Sequence, residues 1–185
     1  MESSFGIGET NDTNIHLINS NIVSYISAGQ IIFHRVYGHT NTFSTGINNF
    51  KCGRTKAVKL MCAHPSADVF AVVNNVDNCN LYIYEYPSFN MISEFEDVVK
   101  FEFLVMQFAN FGSIIGVISG LSDYKFMLLN YFTNETLCAV DISSENINYQ
   151  IRFNPSNWKD IVLYSNKDVS TCLVEQYSTN YCIEI

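Results

Sequence analysis

Positive charge is scarce in this chain: Lys and Arg number 10 against 18 Asp and Glu, which leaves a net charge of −8. A protein that grips nucleic acid through its surface needs the opposite sign, so that class is set aside. Long apolar runs are missing as well. No stretch of 18 or more apolar residues could span a bilayer. The opening MESSFGIGETNDTN has no basic segment followed by an apolar one of the kind an export signal carries. The reading is a soluble, cytoplasmic chain with no membrane among its partners. The six Cys, at 52, 62, 79, 138, 172 and 182, form no CxxC pair. That argues against a zinc knuckle and, without an export signal, against a disulfide framework; buried thiols are the expectation.

Catalytic signatures are absent too. There is no GxSxG, HExxH or kinase motif. The four histidines, His16, His34, His39 and His64, stand at no spacing typical of a metal site. Cys62 and His64 point to one side of a strand, being two apart, but two ligands do not close a zinc site. Gly53-Arg-Thr-Lys56 lacks the upstream glycine and the residue order of a phosphate loop. Glu94, Glu96, Asp97 and Glu102 gather where one repeat passes to the next, as a solvated connector would. Phe101, Phe103, Phe108 and Phe111 read as core. No catalytic, cofactor-binding or metal-binding residue is assigned.

What the chain does have is a repeat. Between Ala57 and Asp97 lie AVKLMCAHP, VFAVVNN, NLYIYEYP and NMISEFED, four short runs of β-branched, aromatic and aliphatic residues bounded by Pro, Asn, Asp or Ser. Pro65 follows the first run, and Asn110 and Pro155 hold the same place in FEFLVMQFAN and INYQIRFNP, each 45 residues after the last. Four strands in a period of this length predict an all-β, WD-repeat β-propeller. The chain is read as one propeller region, 1–185, with about four blades at roughly 14–50, 57–97, 101–141 and 147–185. In the first blade TFSTG is the candidate fourth strand and most of 37–56 is loop; in the last, Trp158 falls in a connector. The near-continuous apolar runs of the third repeat predict strands covered on both faces. Four blades make only part of a seven-bladed ring, although rings of four exist. The favoured expectation is a partial, open propeller completed by a second chain, the other a small closed ring.

The only basic cluster is Lys51, Arg54, Lys56 and Lys59. It is read either as a solvated connector or as a partner-binding surface for an acidic protein, tubulin tails being one candidate.

The phrases His64-Pro65, Asn80-Leu-Tyr-Ile-Tyr-Glu-Tyr-Pro-Ser-Phe89, Ser122-Asp-Tyr-Lys-Phe-Met-Leu-Leu-Asn-Tyr131 and Ile151-Arg-Phe-Asn-Pro155 resemble those of a WD-repeat axonemal family. The chain is similar there to the N-terminal propeller of cilia- and flagella-associated protein 44, whose close relatives are proteins 43 and 57. The resemblance spans most of residues 4–177. It departs at Tyr84-Glu85, Asn130-Tyr131 and Glu175-Gln176, which stand where a standard repeat has Trp-Asp, and no Gly-His pair precedes each blade. Without that hydrogen-bonded tetrad, packing is expected to carry the stability. The second propeller and coiled-coil tail of the family have no counterpart within these 185 residues. The resemblance implies a non-catalytic scaffold of the cilium or flagellum axoneme. It would be a tether that links inner-arm dynein to the doublet microtubule, with protein 43 as companion and no cofactor. A general cytosolic WD-repeat adaptor is the alternative, and a small propeller enzyme or lectin a third reading.

Overall fold

A computed structural model describes residues 15–27, 29–36, 48–50 (backbone), 58–73, 79–145 and 148–185. These fold into four antiparallel sheets of four strands, each strand paired with its neighbours in chain order. The first sheet holds β1 (Ile15–Asn19), β2 (Ile22–Ser27), β3 (Gln30–Arg35) and β4 (Asn48–Phe50), and the second β5 (Leu60–Ala63), β6 (Val69–Val73), β7 (Leu81–Glu85) and β8 (Met91–Phe95). The third holds β9 (Phe103–Phe108), β10 (Ile114–Ser119), β11 (Lys125–Asn130) and β12 (Glu135–Asp141). The fourth holds β13 (Gln150–Asn154), β14 (Asn157–Tyr164), β15 (Val169–Tyr177) and β16 (Asn180–Glu184). The leading strands β1, β5, β9 and β13 neighbour one another in succession. The sheets therefore stand as blades around one side of an axis, each packed face to face on the next. The arrangement is open, not closed.

Why the third repeat looks uniformly apolar is clear from the period of two along a strand. In β10 and β11, Ile115, Val117, Met127 and Leu129 pack on the second sheet with Phe103, Met106 and Phe108. Ile114, Ile118, Phe126 and Leu128 point the other way, onto Ile151, Phe153, Ile161 and Leu163 of the fourth sheet. The second sheet is divided in the same manner. Ala71, Val73, Leu81 and Ile83 face the third, while Phe70, Val72, Tyr82 and Tyr84 face Ile18, Ile22, Ile31 and Phe33 of the first. Three junctions thus hold three apolar clusters, and at about 25 cal/mol per Å² of buried apolar surface they supply the main force that keeps the blades stacked.

Local geometry tightens each junction. Between the first two sheets, the Phe33 ring lies 5.2 Å from Phe70, 5.0 Å from Tyr86 and 5.4 Å from Phe89. Between the third and fourth, Gly116 has no room for a side chain: a Cβ there would stand 3.0 Å from the Phe153 ring and 3.2 Å from Phe126. Glycine here lets the two sheets close on each other.

Two expectations need correcting. The fourth strand of the first sheet is Asn48–Phe50, inside the stretch read as loop; TFSTG lies outside the described residues. Trp158 is in β14 and packs against the third junction, its ring 5.9 Å from Tyr181. Packing carries each junction as expected, and hydrogen bonds add to it. The Asn19 amide donates to Asp68 Oδ1 at 3.1 Å, the Ser66 hydroxyl to the Asn110 carbonyl at 2.6 Å, and Arg152 to Gln107 Oε1 at 3.3 Å.

Candidate interaction surfaces

His64, just past the end of β5, is held from several sides. It is buried, with its ring 5.1 Å from Phe108. The Ser66 N–H donates to its Nδ1 at 3.1 Å, so that nitrogen must be the acceptor and Nε2 must carry the proton. Nε2 lies 3.1 Å from the Gly112 carbonyl, which also receives the Tyr131 hydroxyl at 3.2 Å. A neutral imidazole therefore joins the second sheet to the third, and burial pushes its pKa below the ordinary 6.5. Cys62, two residues earlier, faces the same junction. Burial drives its thiol pKa far up, which leaves it a packed apolar group rather than a nucleophile. Among the described residues no group of three His, Cys, Asp or Glu could hold a metal ion, and no helix is long and apolar enough to cross a membrane.

Of the four basic residues singled out in the sequence, Lys51, Arg54 and Lys56 lie outside the described residues. Lys59 is described and half-exposed, and its Nζ stands 3.4 Å from Glu102 Oε2 across the second junction. It is engaged with an acidic partner inside the chain. The acidic group divides as well: Glu102 is held at this junction, while Glu96 and Asp97 are exposed on the connector that follows β8.

The four phenylalanines read as core also separate. Phe103 and Phe108 are buried, whereas Phe101 is 63% and Phe111 66% exposed. Phe101 shares an open cleft of about 480 Å³ with Glu102, Leu121 and Ser122. Leu121 is 64% exposed. At the opposite end of the third sheet, Phe111 and Phe132 sit on the two loops that join β9 to β10 and β11 to β12, and Phe132 is 82% exposed. A second cleft, of about 400 Å³, opens between the first two sheets and is lined mainly by Asn19, Asn21, Arg35, Asp68 and Tyr86. Among the described residues no nucleophile, base and orienting group converge in either cleft.

No family model matches the chain. Cilia- and flagella-associated protein 43 of Mus musculus is 22% identical over 93% of this chain, and that of Xenopus laevis 22% identical over 92%. Cilia- and flagella-associated protein 44 of Mus musculus is 20% identical over 85%. The chain is a distant, partial relative of proteins 43 and 44. The motif phrases pointed first to protein 44, and the likeness extends over more of the chain with protein 43. The chain spans only 8–10% of the length of these relatives.

Among solved structures, Hsv2 of Kluyveromyces lactis matches 92% of the chain with a TM-score of 0.73 at 13% identity, and 59% of that protein is covered. A chain of the mitotic checkpoint complex matches 92% with a TM-score of 0.66 at 13% identity, covering 51% of it. Sqt1 from Chaetomium thermophilum matches 89% with a TM-score of 0.61 at 8% identity, covering 44%. At these identities the likeness concerns the fold alone, a WD-repeat propeller matched in part.

Proposed function

We propose that this chain is a non-catalytic structural scaffold of the ciliary or flagellar axoneme, a blade stack that serves as a component of a tether between inner-arm dynein and the doublet microtubule. The observation that carries this reading is the distant homology to cilia- and flagella-associated proteins 43 and 44 over 93% and 85% of the chain. The physical character of the chain supports it. Three contiguous apolar junctions make a stiff platform, and its loops are free to bind partners.

The ring is completed by further polypeptide, which seats on the outer face of the first sheet. There Ile15 and Leu17 stand 60% and 66% exposed beside Val23, Tyr25 and Ile32. Lys51, Arg54, Lys56 and Lys59 would face an acidic axonemal surface such as a tubulin tail.

The test is to express the tagged chain in a flagellated cell and follow it by microscopy and by extraction of isolated axonemes. Retention with the doublets after detergent extraction is expected. Exclusion from the flagellum would overturn the axonemal reading and favour a general cytosolic adaptor. Reversing the four basic charges is expected to weaken axonemal retention; unchanged retention removes them from the interface.

A further inference from the structure

The loop that joins β9 to β10 carries the exposed Phe111. Bonds within the third sheet close it: the Ala109 N–H donates to the Ile114 carbonyl and the Tyr131 N–H to the Ser113 carbonyl, both at 2.9 Å, and the Ser113 hydroxyl donates to Asn130 Oδ1 at 2.7 Å. Among the described residues two further bonds tie it to the second sheet, and both come from the turn after β5. The Ser66 hydroxyl donates to the Asn110 carbonyl at 2.6 Å, and His64 Nε2 to the Gly112 carbonyl at 3.1 Å.

These two ties are not independent. The Ser66 N–H donates to His64 Nδ1 at 3.1 Å, so the ring holds the turn that aims the Ser66 hydroxyl. One imidazole governs both, and only while it is neutral. A proton arriving from solvent on Nδ1 would set N–H against N–H, and the ring or the turn has to move. The charge would also lack a counterion. Of the titratable groups around the ring, the Cys62 thiol on β5 and the Tyr131 hydroxyl just past β11 both stay neutral where a histidine titrates, because burial raises the pKa of each. The Asp68 carboxylate in the same turn accepts from Asn19 across the other junction, and no charged side chain contributes to the His64 shift. The tilted Phe108 ring offers an imidazolium less than the water it gives up by being buried.

We propose that His64 is an acid-operated latch: neutral, it pins the Phe111 loop of the third sheet to the second sheet, and protonated, it swings out and lets that loop go. The Tyr131 hydroxyl keeps its bond to the Gly112 carbonyl, so the loop stays joined to its own sheet. The neighbouring turn supplies a contrast. Asn130 Oδ1 accepts the N–H groups of Phe132 and Thr133 at 3.0 and 3.3 Å, and Asn134 Oδ1 accepts the Ser93 hydroxyl at 2.7 Å. None of these groups titrates in mild acid, so the two exposed phenylalanines part company: Phe111 is released and Phe132 stays. The latch lies wholly within this chain and does not depend on an axonemal role.

NMR of the isotope-labelled full chain, followed from about pH 7.5 to about pH 5, tests the latch. The His64 ring signals are expected to titrate below 6.5, and the amides of 66 and 110–112 to shift with the same midpoint. Across that midpoint the hydrogen-exchange protection of the Ser66 N–H, corrected for its intrinsic pH dependence, is expected to fall at least about tenfold. The heteronuclear NOE of 110–112 is expected to fall with it, while that of 132–134 holds. His64→Gln, which cannot take up the proton, is expected to abolish the response, and Ser66→Ala, which removes the second tie, to enlarge it. The proposal is overturned if His64 titrates and 110–112 do not follow, if 132–134 follow to the same extent, or if the response persists in His64→Gln. A His64 that stays neutral until the whole fold melts overturns it as well.

Discussion

The two end sheets of this stack are built alike and finished differently. On the outer side of the first, cross-strand rows run Ile15–Tyr25–Ile32 and Leu17–Val23–His34. On the outer side of the fourth they run Gln150–Tyr164–Val169, Arg152–Val162–Thr171, Asp160–Leu173–Glu184 and Glu175–Cys182. The first presents a face like those buried at the three junctions, whereas the fourth, apart from Tyr164 beside Val169, breaks up its apolar residues with ions and hydroxyls. A surface that places charges beside most of its apolar residues is stable in water, and one that sets Ile, Leu, Val and Tyr together is asking for a neighbour. The difference teaches that the two ends of the stack are not equivalent: the first carries the stronger demand for cover.

The sharpest way to break this comparison is to cut the same kind of side chain from the two faces of the fourth sheet. Phe153→Ala on the inner face is expected to cost about 3 kcal/mol or more in urea unfolding, and Leu173→Ala on the outer face less than about 0.5 kcal/mol. Equal losses would mean that the outer face is buried in solution.

Next in size is Gly116→Ala, which tests how closely the fourth sheet is seated. Its Cβ would meet the Phe153 ring at 3.0 Å, and a loss of about 1–3 kcal/mol is expected for overpacking. The double change Gly116→Ala/Phe153→Leu is expected to recover part of that loss relative to Phe153→Leu alone. Absence of any coupling between the two positions would remove steric contact as the cause.

Smaller still is the effect of acid on the middle junction. The folded pKa of His64 lies below 6.5, so between the two values the unfolded chain holds a proton that the folded chain lacks. Stability from this residue is full above about pH 7 and is lost as pH falls through 6.5, because protonated Nδ1 can no longer accept the Ser66 N–H. His64→Gln, which keeps one donor and one acceptor, is expected to flatten the fall in urea midpoint between pH 7.5 and pH 5.5. An unaltered slope would assign the acid sensitivity elsewhere.

The smallest change in stability is expected at the first sheet's outer face. Ile15→Ser/Leu17→Ser should shift the unfolding free energy by less than about 0.5 kcal/mol per site, yet it should reduce self-association in sedimentation. The matched pair Val169→Ser/Leu173→Ser on the fourth sheet should leave self-association as it was. If both pairs act alike, the two ends are equivalent after all.

Much of the architecture was legible because the repeat announces itself at positions where geometry leaves little choice. Pro65, Asn110 and Pro155 each stand one or two residues past the leading strand of their sheet, at a reversal where the backbone cannot remain in the ladder. The continuous apolar runs announced two covered faces for the same reason. What escaped was non-local. That Phe103 and Phe108 are buried while Phe101 and Phe111 are exposed depends on where the strand starts and stops, and four phenylalanines within eleven residues do not declare it. The pairing of His64 with Gly112 joins residues 48 apart, and Lys59 meets Glu102 at a separation of 43. Neither partner carries a mark in its own neighbourhood. The strand at Asn48–Phe50 is short and polar at its start, and it pairs only because β3 offers an open edge.

The alternation in the third sheet has a wider consequence. Because neighbouring residues of β10 and β11 answer to different adjoining blades, a substitution at one position is felt on one side and is nearly silent on the other. Two recognition codes are interleaved letter by letter in the same few strands, so either contact can drift over generations without retuning its companion. Slipping the chain by a single residue would scramble both at once.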